Sequence, residues 1–376
     1  MGEIKFATKL CLTHKCNLNC IYCYQKHDNN NRCSLDTAKS VIDRIFDNVP
    51  KKTDRIDIGF IGGEPLLEFD LLKEIVAYTC SKERNHHFIF NVVTNGTMLT
   101  KEMKDWFIAH KNLIALGLSL DGSRETHNHN RSNSFDDIDI DFFITNWQDE
   151  SIKMTLSEYS LPRLADNIKY LHSRGIKKIE GVNFAEATIN WDSENLVKLL
   201  APQLKELVEF YVDNETLYVN RMLYKRLFLC EAKREKRKPC GVGIGCPFFD
   251  VDGKAYHCSF ITPMTFSEKE LTEIGKIDFN DIDIFVDNDC FENCYIEPIC
   301  PTCVGANYFV SKTFKKRDKR RCRVQKLISL FIADLQAKRI AKNPKIISNE
   351  EKLYHTIEAI KKIRSLYLPE FEEYLK

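Results

Sequence analysis

Residues 12–25 read LTHKCNLNCIYCYQ, and within them Cys16, Cys20 and Cys23 stand as C-x3-C-x2-C. Three thiols within eight residues have no fourth beside them. A closed structural zinc site takes four ligands in a tetrahedron, and ribbon or finger spacing answers one cysteine pair with a second. Thiolates suit zinc and iron–sulfur clusters alike, so softness does not choose between them. The unfilled position carries more information. Three cysteines on a four-iron cluster leave one iron open to something other than protein, which is where chemistry can occur. On this stretch alone, a zinc knuckle that borrows His14 or Cys11, or plain reduced thiols, stays open.

The chain of 376 residues is long enough for two domains or one large barrel with additions, and 43% hydrophobic residues supply a substantial core. Lys plus Arg at 55 balance Asp plus Glu at 54, so no global charge points to nucleic acid or to an acidic membrane surface. The one basic run, KTFKKRDKRRCR from Lys312 to Arg323, lacks the aromatic interleaving of a nucleic-acid footprint and reads as a solvated loop or helix start. No stretch has the length and apolarity of a membrane span, and MGEIKFATKL lacks the apolar core and cleavage site of a secretory signal. A cytoplasmic location is expected. In that reducing compartment fifteen cysteines argue for metal ligation over disulfides. Cys11, Cys33, Cys80 and Cys230 stand apart from the clustered ones and are read as small core hydrophobes.

Over the first two hundred or so residues short β-rich runs alternate with amphipathic segments, the pattern of an α/β fold in which helices cover a parallel sheet. Strands are predicted at Phe6–Leu12, Ile56–Ile61, Phe88–Val93, Ile114–Leu120, Ser151–Leu156 and Ile176–Phe184. Helices are predicted at Leu35–Val49, which Ser34 can cap, then near 69–83, 100–109, 136–148, 160–174 and 192–212. Right-handed crossovers would curl six such units into a partial (β/α)6 barrel. The unusual residues follow the strands. The cysteine run comes after the first, GGEP (Gly62–Pro65) after the second, TNG (Thr94–Gly96) after the third, and SLDG (Ser119–Gly122) ends the fourth. All four are thereby expected at the C-terminal rim, where barrel enzymes build their active sites. From about residue 225 to about 310 a stretch containing Cys, Pro and Gly loses periodicity and is expected to fold around metal. Arg320 to Lys376 returns to helix, with Val324, Leu327, Ile328, Phe331, Ile332 and Leu335 on one face and a second helix near 350–365.

The cysteine run with Tyr22 before its last cysteine, followed by GGEP, TNG and SLDG, resembles the radical S-adenosylmethionine (AdoMet) superfamily over roughly residues 6–215. The resemblance implies that Cys16, Cys20 and Cys23 hold a [4Fe–4S] cluster whose fourth iron chelates AdoMet. The missing ligand is then the cofactor. It also implies a 5′-deoxyadenosyl radical that abstracts hydrogen from an unactivated carbon. Glu64 matches the family's acceptor for the methionine ammonium, Gly62 and Gly63 permit close backbone approach, and Pro65 completes the motif. Tyr22 would lie against the adenine. Thr94, Asn95 and Ser119 would meet the ribose or carboxylate, and Arg131, within DG-x4-H-x3-R from Asp121, would pair with the carboxylate. A turn-stabilising role is the alternative for Thr94 and Asn95.

The second cysteine region resembles the SPASM extension of the same superfamily: C240-x5-C246, then G-x4-C from Gly253 to Cys258, then C290-x3-C294-x5-C300-x2-C303, and Cys322. That pattern implies two further [4Fe–4S] clusters, one on Cys240, Cys246, Cys258 and Cys303 and one on Cys290, Cys294, Cys300 and Cys322. The quartet spacing x3, x5, x2 departs from the commoner x2, x5, x3, which leaves the partners of Cys303 open, and a pair of zinc ribbons is the alternative. The domains expected are a radical AdoMet core over 1–222, a SPASM domain over 223–322 and a helical tail over 323–376.

SPASM enzymes mostly modify peptides or proteins. Anaerobic sulfatase maturases, which make formylglycine, commonly carry an aspartate after the cysteine of G-x4-C, and here Ser259 stands there. A serine hydroxyl is no base near neutral pH without activation. The SLDG-x4-H run and CPTCVGANY (Cys300–Tyr308) look closer to the ribosomal-peptide maturases, so oxidative thioether or carbon–carbon crosslinking of a peptide is expected. With about fifteen residues before Cys16, an N-terminal peptide-recognition domain is expected to be absent, and the cysteine-rich region with the C-terminal helices is the candidate grip. An external electron donor such as flavodoxin or ferredoxin is implied. From another class, an Fe–S electron-transfer protein without AdoMet chemistry stays in view; GGEP is the feature against it.

Overall fold

The computed structural model describes residues 5–27, 29–179, 181–243 and 247–375, so Cys246 lies outside the described residues. In chain order the elements are β1 (Lys5–Thr13), α1 (Leu35–Asn48), β2 (Arg55–Gly62), α2 (Phe69–Ser81), β3 (His87–Thr94), α3 (Lys101–Ala109), β4 (Ile114–Leu118), α4 (Arg124–Asn130) and α5 (Ile140–Asn146). They continue with β5 (Lys153–Leu156), α6 (Leu164–Ser173), β6 (Gly181–Phe184), α7 (Ser193–Asp213), β7 (Phe248–Phe249), β8 (Ala255–Tyr256), α8 (Glu268–Ile274), α9 (Asn288–Asn293), α10 (Val304–Ser311), α11 (Cys322–Lys342) and α12 (Glu350–Leu375). The chain falls into two compact units, each assembled from separate stretches.

The first unit comprises Met1–Leu120, His127–Glu150 and Cys240–Asp281. Strands β1 to β4 pair in parallel, with Leu10 opposite Phe60, Ile58 opposite Phe90 and Val92 opposite Leu116. Parallel strands need crossovers, and the helices supply them. Helix α1 begins where expected: the Ser34 hydroxyl accepts the Thr37 N–H at 3.1 Å, satisfying one of the donors a helix start leaves unpaired. Its Ala38, Val41, Ile42 and Ile45 are buried. Leu10, Ile56, Ile58, Phe90 and Val92 form the sheet's inner layer, with the Phe60 and Phe90 rings stacked 5.1 Å apart. The sheet order is β4-β3-β2-β1-β7-β8, so the short hairpin β7–β8 extends it on the far side of β1, Lys9 pairing with Phe248. Two-residue strands inside a cysteine-rich stretch leave no alternation to read, and the sequence did not foretell them.

The second unit comprises Asp121–Thr126, Ser151–Pro239 and Ile282–Lys376. Strands β5 and β6 pair in parallel in a ladder of their own. The last predicted strand, Ile176–Phe184, enters the ladder only at Gly181. Gly175, at φ 89°, ends α6, and the chain that follows meets Ile152 through Ile152 N–H to Lys178 O at 3.1 Å and Gly181 N–H to Ile152 O at 3.4 Å. Its apolar residues still serve the core, since Ile176 and Ile179 are buried. Val324, Leu327, Ile328, Phe331, Ile332 and Leu335 of α11 are all buried, as their stripe implied. The second tail helix runs beyond the expected 350–365 to a kink at Phe371 (φ −124°, ψ 15°), two residues after Pro369, and helical chain continues to Leu375. Among the described residues, no helix is long and apolar enough to cross a membrane.

Two expectations are corrected. Cys80 is exposed, on the solvent side of α2, whereas Cys11, Cys33 and Cys230 are buried small hydrophobes as read. The basic run from Lys312 leads into the start of α11, as read, but it is not solvated throughout. The Arg317 and Arg321 side chains are only 12% and 7% exposed, and each pairs with a half-buried carboxylate, Glu297 and Glu186 respectively.

Candidate functional site

In the first unit, the cysteine loop leaves the end of β1 and is fastened to the ends of the neighbouring strands. Gly63 N–H donates to Thr13 O at 3.0 Å and Glu64 N–H to Lys15 O at 2.9 Å. This approach is why glycines stand at 62 and 63: a Cβ on Gly62 would lie 2.3 Å from Thr13 O, and one on Gly63 2.3 Å from Lys15 O and 2.9 Å from Cys16 Cβ. The expected close backbone approach is therefore an approach to the cysteine loop itself. Further along, Asn17 exchanges side-chain bonds with Asn95 and Thr97, each at 2.8 Å, which ties the loop to the TNG turn after β3. Asn19 N–H donates to the Ser132 hydroxyl at 2.9 Å and Ile21 N–H to Asn130 O at 3.0 Å.

The thiols of this loop differ in environment. Burial pushes Cys16 up. Cys23 is also pushed up by burial, but the His27 ring, 3.3 Å from its sulfur, a backbone N–H at Gln25 and the nearby charges of His27 and Arg131 outweigh that and hold its thiol below the ordinary value. His27 is in turn oriented by His14 O, 2.8 Å from its Nδ1. A thiol that ionises easily suits metal ligation. Sequence reading passed over Asn17 and His27; a polar residue beside each outer cysteine is too common to stand out.

Glu64 is buried and accepts three hydrogen bonds: Leu66 N–H at 3.1 Å and the Thr94 hydroxyl at 2.8 Å on Oε1, and Asn95 N–H at 2.8 Å on Oε2. Burial raises its carboxyl above the usual range, opposed by those three donors and by the Arg131 charge. Oε2 keeps capacity for another donor, and a cation beside it would relieve the burial penalty, which fits an ammonium group. Thr94 is thus spent on Glu64, and the Asn95 side chain on Asn17 and Thr97. Arg131, largely buried, holds its guanidinium 5.4 Å from the centre of the Tyr22 ring. Ser119 is half-buried, its N–H on Thr94 O at 2.9 Å, and Pro65 opens a short helical turn over Pro65–Glu68. The motifs at the ends of β1, β2 and β3 therefore meet, as their positions in the sequence implied.

His14 and Cys11, considered as extra ligands for the cysteine loop, instead join Asp250, which follows β7. The three groups lie within 4.8 Å of one another, all buried, with His14 Nε2 2.7 Å from Asp250 Oδ1.

In the second unit, Cys290, Cys294, Cys300 and Cys322 line one cavity of about 410 Å³. Helix α9 carries Cys290, with Asp287 capping its N-terminus, and Cys322 opens α11. Lys319 Nζ lies 3.0 Å from Cys290 Sγ and 2.7 Å from Asp289 Oδ2. Arg317, Arg321 and Tyr367 also line the cavity. Four thiols with cations around them fit a cluster bearing net negative charge. Cys240 and Cys258 belong to the first unit and Cys303, which precedes α10, to the second.

Residues 10–200 match the family model described as the Radical SAM superfamily. Among curated relatives, the radical SAM cyclopropyl synthase TigE of Paramaledivibacter caminithermalis is 26% identical over 45% of this chain and 35% of its own. A cysteine-type anaerobic sulfatase-maturating enzyme of Clostridium novyi is 25% identical over 76% of this chain and 83% of its own. The chain thus spans about a third of the cyclopropyl synthase and most of the Clostridium enzyme. Among solved structures, native anSMEcpe with bound AdoMet superposes with a TM-score of 0.68 at 18% identity, over 90% of this chain and 100% of that one. Streptococcus suis SuiB bound to precursor peptide SuiA gives 0.59 at 16%, over 85% and 76%. At such identities the likeness is one of fold.

Proposed function

This chain belongs to the radical SAM superfamily, and on that premise we propose that it modifies a peptide by oxidative thioether or carbon–carbon crosslinking. The family's [4Fe–4S] cluster with AdoMet supplies, when bound, a 5′-deoxyadenosyl radical able to take hydrogen from an unactivated carbon. Cys16, Cys20 and Cys23 are the proposed ligands, and Glu64 the acceptor for the methionine ammonium. The carrying observation is the clamp between the two: the GGE backbone bonds that hold the cysteine loop also aim a buried carboxylate with spare capacity at Oε2. Gly62, Gly63 and Pro65 fix that clamp. Tyr22 and Arg131 would face the adenosine and carboxylate, with Ser119 beside them. Thr94 and Asn95 act chiefly by holding Glu64.

Replacing Thr94 by Val is expected to weaken AdoMet binding by roughly 5- to 150-fold, the equivalent of about 1–3 kcal/mol for a buried carboxylate that loses a donor. Equilibrium binding to anaerobically reconstituted protein checks it. Unchanged affinity would remove Thr94 from the site.

Cys290, Cys294, Cys300 and Cys322 are proposed to hold one auxiliary cluster. Four protein ligands leave no iron for substrate, so its role would be electron transfer. The other set, Cys240, Cys246, Cys258 and Cys303, is proposed on the resemblance alone, as is an external donor such as flavodoxin or ferredoxin. Lys319 is expected to raise the potential of the first of these clusters, since a cation hydrogen-bonded to a ligand sulfur favours the more negative, reduced state. In Lys319→Met, a redox titration followed by electron paramagnetic resonance should find one midpoint lowered and the others unmoved. Three unchanged midpoints would overturn that assignment.

The sulfatase-maturase reading keeps a specific support, the long match to the Clostridium novyi enzyme, while Ser259 after Cys258 stands against it. An anaerobic reaction with AdoMet, reductant and a short peptide encoded beside the gene separates the readings. Loss of two hydrogens together with 5′-deoxyadenosine supports crosslinking. Conversion of a cysteine in a sulfatase-type peptide to formylglycine supports the second reading. Absence of 5′-deoxyadenosine under every reductant leaves a cluster-bearing electron carrier.

A further inference from the structure

Within the second unit the segment 219–228, the C-terminal part of α11 and the start of α12 enclose a groove of about 320 Å³. Leu223, Leu227 and Leu335, all buried, belong to its lining, and Ile346, 45% exposed, stands at its edge. Four cations also line it: Lys225, Arg226, Arg339 and Lys352. No lining residue is acidic.

The chain carries 55 basic and 54 acidic residues and pairs many of them across its surface, yet none of these four makes an ion pair among the described residues. Arg339 donates from Nη2 to Glu215 O at 2.6 Å, but its Nε is buried without a partner. A buried donor left unpaired is costly. Burial and the neighbouring Arg221 also push Lys225 below its usual value. Lys352 lies 5.4 Å above the Phe228 ring, which places a charge directly over apolar surface.

From this charge pattern we propose that the groove binds an acidic, apolar recognition segment of the peptide substrate. The proposal rests on the peptide-modifying reading above. The volume admits a few side chains, and the leucine lining selects apolar ones. Four unneutralised cations around it select carboxylates flanking them, as an amphipathic turn laid in a groove would present. A free inorganic anion would leave the apolar lining unused. A nucleic acid would call for a succession of stacking aromatics along a basic track, whereas Tyr224, 60% exposed, and the half-buried Phe228 are the aromatics of this lining.

The test is selection from a phage-displayed library of short random peptides on the reconstituted full-length protein, followed by fluorescence anisotropy with the winning sequence. Arg226 and Lys352 are both exposed, so Arg226→Glu with Lys352→Glu does not threaten the fold. The expected result is enrichment of Asp and Glu beside Leu, Ile or Phe, with affinity for the winner falling about tenfold or more in the double variant and with added salt. Ile346→Asp should weaken the same peptide. Selected peptides without acidic residues, or undiminished binding to the double variant, would overturn the groove. So would a single-stranded oligonucleotide or anionic vesicles that compete fully with the peptide. Deoxyadenosine formation, measured in parallel, keeps the two readings apart: its absence in wild type counts against the enzyme reading, whereas lost peptide binding alone counts against the groove.

Discussion

Gly63→Ala is expected to abolish assembly of the first cluster while leaving the rest of the protein folded. The added Cβ would sit 2.3 Å from Lys15 O, 2.5 Å from Lys15 C and 2.9 Å from Cys16 Cβ. Real side chains do not tolerate such distances to backbone, so either β2 or the cysteine loop has to move. The sheet is the stiffer partner. Strand β2 is held on both sides by parallel ladders to β1 and β3, whereas the loop between Cys16 and Cys23 has no ladder of its own. The loop should yield, breaking the Glu64 N–H to Lys15 O bond and displacing the Cys16 sulfur. A cluster ligated by only three thiols cannot spare one. If three clusters are present, iron content should fall from about twelve to about eight per chain, with AdoMet binding lost and thermal stability lowered by no more than about 3 kcal/mol. Full iron content and retained AdoMet binding in Gly63→Ala would show that the loop can bend away without losing its ligands, and would sink the clamp as the reason for the glycine pair.

How far the sequence foretold this site follows from what each residue leaves in a linear pattern. Cys16, Cys20 and Cys23 carry a spacing, and Gly62, Gly63 and Glu64 carry a motif placed directly after a strand. Both survive as local text, and β1, β2 and β3 end within a residue or two of their expected bounds. Partnerships between distant segments leave no such trace. Asn17 on the TNG turn, His27 on Cys23 and Lys319 on Cys290 are each single polar residues whose role exists only after folding. The basic run was read correctly as leading into a helix but not as to solvation, for the same reason: its composition resembles a solvated segment, while its fold directs Arg317 and Arg321 onto half-buried carboxylates. Hairpin β7–β8 was too short for periodicity to register, yet its flank supplies Asp250, which fixes His14 at the entrance to the cysteine loop. The groove beside α11 is legible only as an absence of counter-charge, which no one-dimensional pattern records.

Glu64→Gln is expected to reduce AdoMet affinity by two orders of magnitude or more, about 3 kcal/mol, with cluster content retained. Gln keeps the shape and leaves the Gly63 and Glu64 backbone bonds intact, so the cysteine loop stays clamped. Two things are lost together. The buried negative charge that would pair with the methionine ammonium is gone, and one of the two terminal atoms becomes an N–H donor facing donors. Oε1 now accepts from Leu66 N–H and the Thr94 hydroxyl, and Oε2 from Asn95 N–H. An amide can satisfy one side only, so an unpaired donor remains whichever way it turns. The sign of the pH dependence follows from burial, which raises the Glu64 carboxyl above its ordinary value. A raised carboxyl favours the protonated folded state, so its contribution to stability is present below the unfolded value of 4.5 and is lost as pH rises through the folded one. Cofactor binding runs the opposite way. The ammonium needs the ionised carboxylate, so AdoMet should bind more weakly as pH falls through the raised value, releasing a proton on binding in that window. In Glu64→Gln this acid-side dependence should vanish along with the affinity. Calorimetry of AdoMet binding in buffers of different ionisation enthalpy reads both at once. A variant with near wild-type affinity, or a wild type whose affinity is flat across the acid range, would assign the ammonium to another acceptor and leave Glu64 as a tie between the GGE and TNG turns.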